Sequence, residues 1–182
     1  MDGDNAITSA DRKIIGNSTP KFSWGLDNNF TYKNFSLNIM VQGVSGKKIL
    51  NTMYAAASTV ISDAPSITTK DGGNYWTASN QKAAFANPLS STNKNQLVST
   101  QFLQNGDYVK VKNIALSYLL KKKYTRFADL KFTVSAQNLL TFTKYKGYDP
   151  EVSTYGGDTE GALDMGAYPN PRTVTFGVQM NF

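Results

Sequence analysis

The stretch "RTVTFGVQMNF" (172–182) alternates in polarity from one residue to the next. Its apolar positions are Val174, Phe176, Val178, Met180 and Phe182. The residues between them are small or polar, among them Thr173, Thr175, Gln179 and Asn181. Alternation at a period of two predicts a β-strand with one apolar and one polar face.

Four further segments alternate in the same way. They are "KFSWGLDNNFTY" (21–32), "FSLNIMVQG" (35–43), "YVKVKNIALSYLL" (108–120) and "LKFTVSAQNLL" (130–140). In segment 108–120 the apolar positions change from odd to even numbers after Val111. We interpret this change as a β-bulge near Lys112-Asn113, which would restore one continuous apolar face. The alternative is a separate short strand at 108–111.

The connections between these five strands alternate between short and long. Connections 33–34 and 121–129 are short, whereas connections 44–107 and 141–171 are long. Outer-membrane β-barrels have this pattern, with tight periplasmic turns and long extracellular loops. Strands of about 9–11 residues also suit a tilted crossing of the bilayer. The predicted fold class is therefore all-β, an antiparallel transmembrane β-barrel segment.

Aromatic residues stand near the ends of the predicted strands, as in the interfacial girdles of membrane barrels. The girdle at the short turns would contain Tyr32, Phe35, Tyr118 and Phe182. The girdle at the long connections would contain Phe22, Trp24, Tyr108 and Phe142.

The composition of the 182 residues excludes several kinds of chemistry. The chain has no cysteine and no histidine, so thiol, Cys/His zinc and histidine acid–base sites cannot form within it. The net charge is +6, but the lysines are scattered. The one run, Lys121 to Lys123, is interpreted as a solvated turn. The opening "MDGDNA" lacks the features of a secretory signal, so we expect an export signal elsewhere in a longer chain.

Several stretches resemble the SusC/RagA family of TonB-dependent outer-membrane transporters, and they span nearly the whole chain in family order. The stretches are "NSTPKFSWGLDNNFTYKNFSLNIMVQG", "NGDYVKVKNIALSYLL", "FTVSAQNLLTFTKYKGYDPEV" and "YPNPRTVTFGVQMNF". The resemblance implies about five C-terminal strands of a roughly 22-stranded barrel, a fold class whose lumen is plugged. Residues 1–19 would form an Asp-rich loop before the barrel strands, and residues 20–182 the barrel segment.

The resemblance also implies a role for the last strand. An alternating strand that ends in phenylalanine resembles the signal by which the barrel assembly machinery recognises its substrates. Val174, Phe176, Val178, Met180 and Phe182 would form this signal and face lipid. Thr173, Thr175, Gln179 and Asn181 would face the lumen.

The opening "MDGDNAITSADR" resembles a calcium-binding loop that precedes the barrel region in this family. Asp2, Asp4, Asp11 and the carbonyl of Ala6 would supply oxygen ligands at EF-hand spacing. The alternative is an ordinary turn rich in aspartate. Calcium is thus a possible ligand, and no other cofactor is predicted.

The long connections carry aromatic residues that could stack on sugars or peptide side chains at the barrel mouth. These candidates are Tyr54, Tyr75, Trp76, Tyr148, Tyr155 and Tyr168. The alternative is that they pack the loops and meet a partner lipoprotein. In "GYDPE" (147–151), Asp149 and Glu151 have no identifiable base, metal or nucleophile partner, so we interpret the stretch as an ordered loop and predict no catalytic site.

The function implied by the resemblance is import of a glycan or peptide across the outer membrane of a Gram-negative, Bacteroidetes-like bacterium. The implied partners are a SusD-like surface lipoprotein, the TonB complex through parts absent here, and outer-membrane lipid. The main alternative is a soluble β-sandwich module that binds carbohydrate. A nucleic-acid binder, suggested only by the charge, ranks last.

Overall fold

The computed structural model describes residues 8–58, 74–85, 87, 98–151 and 163–182. Its main feature is a five-stranded sheet of order β1-β2-β5-β6-β8, in which all neighbouring strands are antiparallel. The five strands are β1 (Phe22–Tyr32), β2 (Phe35–Ser45), β5 (Tyr108–Leu120), β6 (Asp129–Thr143) and β8 (Thr173–Asn181). All five predicted strands are present, and β6 extends three residues beyond its predicted end.

One face of this sheet, here called the apolar face, carries hydrophobic side chains in register across all five strands. One row runs from Phe30 through Leu37, Leu116 and Val134 to Phe176. Phe176 is 77% exposed, and Phe30, Leu116 and Val134 are also exposed. Within the described residues, no second layer covers these side chains. The apolar face therefore lacks the protein partner that a sandwich core would supply.

The predicted β-bulge in β5 is confirmed. Val111 pairs with Leu140 and Asn113 pairs with Gln137, so Lys112 lies outside the ladder. Both neighbouring strands shift register at this point, as expected where one extra residue is inserted. The bulge brings the apolar residues before and after Lys112 onto the same face of the sheet.

Gly43 in β2 makes room for an aromatic ring on the apolar face. It pairs with Trp24 of β1, and a Cβ atom at Gly43 would collide with the Trp24 indole. Gly25 is its natural comparison, because a Cβ atom there meets nothing within 4 Å.

We expect Gly43→Ala to displace the Trp24 ring and to destabilise the sheet by about 1–3 kcal/mol, the usual cost of overpacking. Gly25→Ala should change neither quantity appreciably. Tryptophan fluorescence and denaturant unfolding of the protein expressed from its own gene would compare the two variants. Equal behaviour of both variants would contradict the close approach of Trp24 to Gly43.

The short connections meet at one end of the sheet. The turn at 33–34 joins β1 to β2, with Lys33 in a left-handed conformation at φ 55°. Residues 121–128 join β5 to β6 and contain the single-turn helix α2 (Lys122–Thr125). The Leu119 amide donates a 2.8 Å hydrogen bond to the Asn34 carbonyl, which ties the first turn to the end of β5.

The long connections contain more structure than the sequence patterns predict. They form a second sheet of order β4-β3-β7 and a short helix. These elements are β3 (Lys48–Asn51), α1 (Thr52–Ser58), β4 (Leu103–Asn105) and β7 (Leu163–Asp164), and a 3-10 turn, Ser9–Asp11, precedes β1. The second sheet buries Ile49, and Phe102 beside it is also buried. These strands are too short for alternation to reveal them.

The prediction that Tyr108 belongs to an interfacial girdle is wrong. Tyr108 lies on the polar face of the sheet, opposite Val44, and is buried. Its hydroxyl accepts a 3.0 Å hydrogen bond from the Gln42 amide. The girdle was assigned from position along the strand alone, whereas the parity of residues before Lys112 puts Tyr108 on the polar face.

In the described parts of the chain, no helix has the length and hydrophobicity needed to cross a bilayer.

Candidate functional site

A buried lysine on the polar face anchors the connection between β6 and β8. Lys110 of β5 is 1% exposed, and its ammonium lies 2.9 Å from both carboxylate oxygens of Asp149. It also donates to Glu151 Oε2 at 2.7 Å. A buried ammonium is stable only when such partners satisfy it. Lys110 therefore fixes the "GYDPE" stretch against the sheet wall.

The bulge residue Lys112 joins the same group, here called the loop anchor. Its ammonium donates to both Glu151 oxygens at 2.8 and 3.0 Å. Lys112 is about one-quarter exposed, so it contributes less burial than Lys110. The bulge thus has two effects: it restores the apolar face and lets a second lysine reach the loop.

Asn170 connects the loop anchor to the far end of the same connection. Its backbone amide and its side-chain amide both donate to Asp149 at 3.3 Å, and the side chain also reaches Glu151 at 3.1 Å. The Glu151 amide donates to Asp149 at 3.0 Å. Two stretches separated along the chain, 149–151 and 170, are therefore held at one point.

The charges of the loop anchor shift the pKa values of its carboxylates. Burial alone would raise the pKa of Asp149, but hydrogen bonds from Lys110 and the Glu151 amide bring it below its ordinary value. Burial opposes the same change in Glu151, whose pKa is lowered by Lys110 and Lys112. Burial lowers the pKa of nearby Lys47, against the attraction of the two carboxylates.

These pKa shifts predict how the loop anchor responds to pH. Carboxylates with lowered folded-state pKa values stabilise the folded state above their ordinary pKa and lose that effect as the pH falls through the folded values. We expect full protection of the Glu151 and Asn170 amides at pH 5–8 and a loss of protection below about pH 4.

Hydrogen exchange, corrected for its intrinsic pH dependence, would measure this effect in the protein expressed from its own gene. Amides in the β5–β6 ladder are the internal control. Loss of protection near pH 6, or protection of Glu151 and Asn170 unchanged to pH 2, would contradict the ion pairing.

A second buried contact holds the other part of the connection. The Tyr145 hydroxyl donates to the Asp164 carboxylate, and burial and this carboxylate raise the Tyr145 pKa. Asp164 also accepts from the Gly166 and Ala167 amides at 2.8 and 3.2 Å. The Tyr145 ring lies where a Cβ atom at Gly147 would be, so glycine is required there.

The arrangement supports a structural role for these acidic residues. Asp149 and Glu151 are neutralised by lysines and held in fixed hydrogen bonds, which suits a loop anchor rather than proton transfer. The sequence indicates no base, metal or nucleophile partner for them, and it does not by itself identify their ion-pair partners, Lys110 and Lys112. The Lys-x-Lys spacing of β5 was the available signal, but sequence alone does not show which loop lies above it.

The structure separates the candidate aromatic residues into packed and exposed groups. Tyr54 packs at ring-centroid distances of 6.4 Å from Phe85 and 6.3 Å from Phe102. Tyr75 and Trp76 are partly exposed. The Trp76 amide donates a hydrogen bond to the backbone carbonyl of Phe85. The most exposed candidates are Tyr148 and Tyr168, at 78% and 86%. Tyr155 lies outside the described residues.

Tyr148 and Tyr168 flank the loop anchor. Tyr148 directly precedes Asp149, and Tyr168 lies two residues before Asn170, which binds Asp149. Both rings are therefore exposed next to a part of the connection that hydrogen bonds hold in place.

The predicted calcium loop can be located only in part. Asp2, Asp4 and Ala6 lie outside the described residues. Asp11 accepts a 3.0 Å hydrogen bond from the Thr8 amide and closes the 3-10 turn. No cluster of three or more acidic, His or Cys residues occurs in the part of the chain that the structure describes. Calcium binding stays a prediction.

Two named relatives match the chain over its whole length. TonB-dependent receptor P3 of Formosa agariphila is 36% identical over 192 residues, which cover 100% of this chain and 18% of that protein. TonB-dependent receptor SusC of Bacteroides thetaiotaomicron is 24% identical over 184 residues, which cover 99% of this chain and 17% of that protein. The chain thus spans less than one-fifth of the length of these relatives. No family model matches it.

The fold matches a solved transporter structure. The structure of the RagAB peptide transporter aligns with 97% of this chain and 19% of its own chain, with a TM-score of 0.77 and 25% identity. This agreement in fold, together with the SusC and TonB-dependent receptor relatives, places the sheet in a barrel wall. In sequence and fold, the chain is therefore similar to a segment of the β-barrel of SusC/RagA-like TonB-dependent receptors.

Proposed function

We propose that this chain supplies part of the wall and two long loops of a TonB-dependent importer in the outer membrane. The observation that carries the proposal is the apolar face, which is continuous over five strands and left uncovered by the residues that the structure describes. In water such a large exposed apolar surface would promote aggregation, whereas a bilayer covers it. The polar face and the loop anchor would line the opposite, lumenal side.

The transported substrate is proposed to be a glycan or a peptide, taken up with a SusD-like lipoprotein partner. The name of the RagAB peptide transporter supports the peptide, and relation to SusC supports a partnered importer. The exposed rings of Tyr148 and Tyr168 would contact the substrate or the lipoprotein. The chain would have no enzymatic role, and TonB would act through other parts of the receptor.

Deletion of the gene, followed by growth on single nutrients, tests this proposal. We expect the protein to sediment with the outer membrane and the deletion strain to lose growth on one class of polymer, glycan or peptide. Growth on the corresponding monomer should be unchanged, and a plasmid-borne copy should restore growth on the polymer. A protein recovered in the soluble fraction, or growth unaffected on every substrate, would overturn the proposal.

The role of β8 as an assembly signal is a further part of the proposal. The alternating apolar side chains of β8 lie on the apolar face, in register with Phe132, Val134 and Ala136 of β6. This placement supports the lipid-facing orientation expected for Val174, Phe176, Val178, Met180 and Phe182. A Phe182→Ala variant should reach the outer membrane in smaller amounts than the wild type.

The sandwich alternative finds no support in this geometry. A soluble sandwich needs a second sheet about 10 Å from the first to bury the apolar face. In the described residues, the second sheet is formed by the long connections and leaves the apolar face exposed.

A further inference from the structure

The end of the sheet with the short turns carries an excess of positive charge. Its turns contain five cations: Lys33, Lys121, Lys122, Lys123 and Arg126, here called the basic rim. Beside them, the Asp129 side-chain carboxylate accepts a hydrogen bond from the Lys122 backbone amide. No ion pair joins the basic rim to a carboxylate in the described parts of the chain.

At the opposite end of the sheet, two lysines of β5 are ion-paired. Lys110 and Lys112 are paired with Asp149 and Glu151 inside the loop anchor. Within the described residues, charge at the basic rim therefore has no ion-pair partner, whereas charge at the loop anchor is neutralised.

Two lysines of the basic rim lie over aromatic rings. The Lys33 ammonium is 5.3 Å from the Tyr32 ring centroid, and the Lys123 ammonium is 5.8 Å from that of Tyr124. Tyr32 pairs with Phe35 on the apolar face, so Lys33 lies at the border of that face rather than on the polar side. Cation–π contacts of this kind favour a fixed position for the ammonium group.

The neighbouring surface is aromatic. Tyr124 and Phe127 are exposed in the turn, and Phe35 and Tyr118 form a ring pair with centroids 4.7 Å apart at the adjacent strand ends. Tyrosine rings prefer the depth of the lipid headgroups, and lysine stems extend along apolar surface to place their charges in the same layer. The basic rim thus combines cations with an aromatic border at the edge of a lipid-facing wall.

We propose that the basic rim binds anionic glycerophospholipids, whose headgroup phosphates contact Lys33 and Lys123 while the acyl chains cover the apolar face. This inference rests on the proposed function, because it requires the sheet to lie in a bilayer. Each basic residue near an anionic membrane surface strengthens attraction about fivefold. Continuity between the basic rim and the apolar face favours a lipid over a soluble anion, which has no acyl chain to use that face.

Lipid selectivity of the protein expressed from its own gene, reconstituted into vesicles, tests the inference. The vesicles contain phosphatidylcholine and phosphatidylglycerol, and spin-labelled lipids report the preference for the anionic species. The Lys33→Gln/Lys123→Gln variant removes both ring-bound cations. The control variant Lys131→Gln/Lys144→Gln makes the same change in charge away from the border of the apolar face. Lys131 lies on the polar face, and Lys144 lies beyond the other end of β6.

We expect the wild type to select phosphatidylglycerol and the Lys33→Gln/Lys123→Gln variant to reduce that preference by about 25-fold, fivefold for each cation removed. The control variant should keep most of it. Equal loss in the two variants, or no loss in either, would overturn the inference.

Two further results separate the possible causes of failure. Displacement of phosphatidylglycerol by inorganic phosphate or glycerol phosphate would overturn the lipid assignment in favour of a soluble anion. Insertion into vesicles without any preference would overturn this inference alone, whereas failure to insert would overturn the proposed function as well.

Discussion

Replacement of Phe176 by arginine is expected to cost about 2–4 kcal/mol of stability in the membrane-embedded protein. Phe176 lies near the middle of β8 and pairs with Val134, so its side chain is expected near the centre of the hydrocarbon layer. A charged group there must draw water or headgroups into the bilayer. The cost should fall for substitutions nearer either end of the strand.

The preceding residue provides the matched control. Thr175 pairs with Ser135 on the polar face, so Thr175→Arg should change stability by less than about 1 kcal/mol. Urea-dependent folding into lipid vesicles would measure both variants. A larger cost for Thr175→Arg than for Phe176→Arg would mean that the faces of the sheet are assigned to the wrong environments.

Replacement of Lys110 by methionine is expected to cost about 3–5 kcal/mol, as when one partner of a buried ion pair is removed. The substitution keeps most of the side-chain volume but leaves the buried Asp149 without its principal cation. The connection 144–172 should detach from the wall and become sensitive to protease. Denaturant unfolding and limited proteolysis would measure the two effects.

Lys112→Met serves as the control for charge. Lys112 is more exposed than Lys110, and among the described residues its ion pair is with Glu151 alone, so its loss should cost about 1 kcal/mol or less. The double variant Lys110→Met/Asp149→Asn should recover part of the lost stability, because it removes the unpaired carboxylate. Additive costs in the double variant would contradict a direct coupling between Lys110 and Asp149.

The main sheet could be predicted because the sequence features that specify each strand lie within that strand. Alternation gives each strand and its faces, and the phase change at Lys112 predicts the bulge that the pairing of Val111 and Asn113 confirms. The positions of β8 that lie on the apolar face follow from the same parity. Such patterns depend on neighbouring residues and need no knowledge of distant contacts.

The loop anchor was not predictable for the opposite reason. Lys110 and Asp149 are 39 residues apart, and their pairing depends on how the long connection folds back over the polar face. The short strands β3, β4 and β7 have the same difficulty, since two to four residues cannot show a period. The burial of Tyr108 was missed because the girdle was inferred from position along the strand without its face.

Single-cysteine labelling along β8 tests most directly whether the apolar face contacts lipid. The chain contains no cysteine, so each introduced thiol reports without background from this sequence. Each of residues 173–181 would be replaced by cysteine in turn and spin-labelled in outer membranes. Lipid-soluble and water-soluble quenchers would then show whether each label is accessible from lipid or from water. We predict alternation, with positions 174, 176, 178 and 180 accessible from lipid and the positions between them not. Uniform accessibility to the water-soluble quencher along the strand would contradict the membrane-wall assignment.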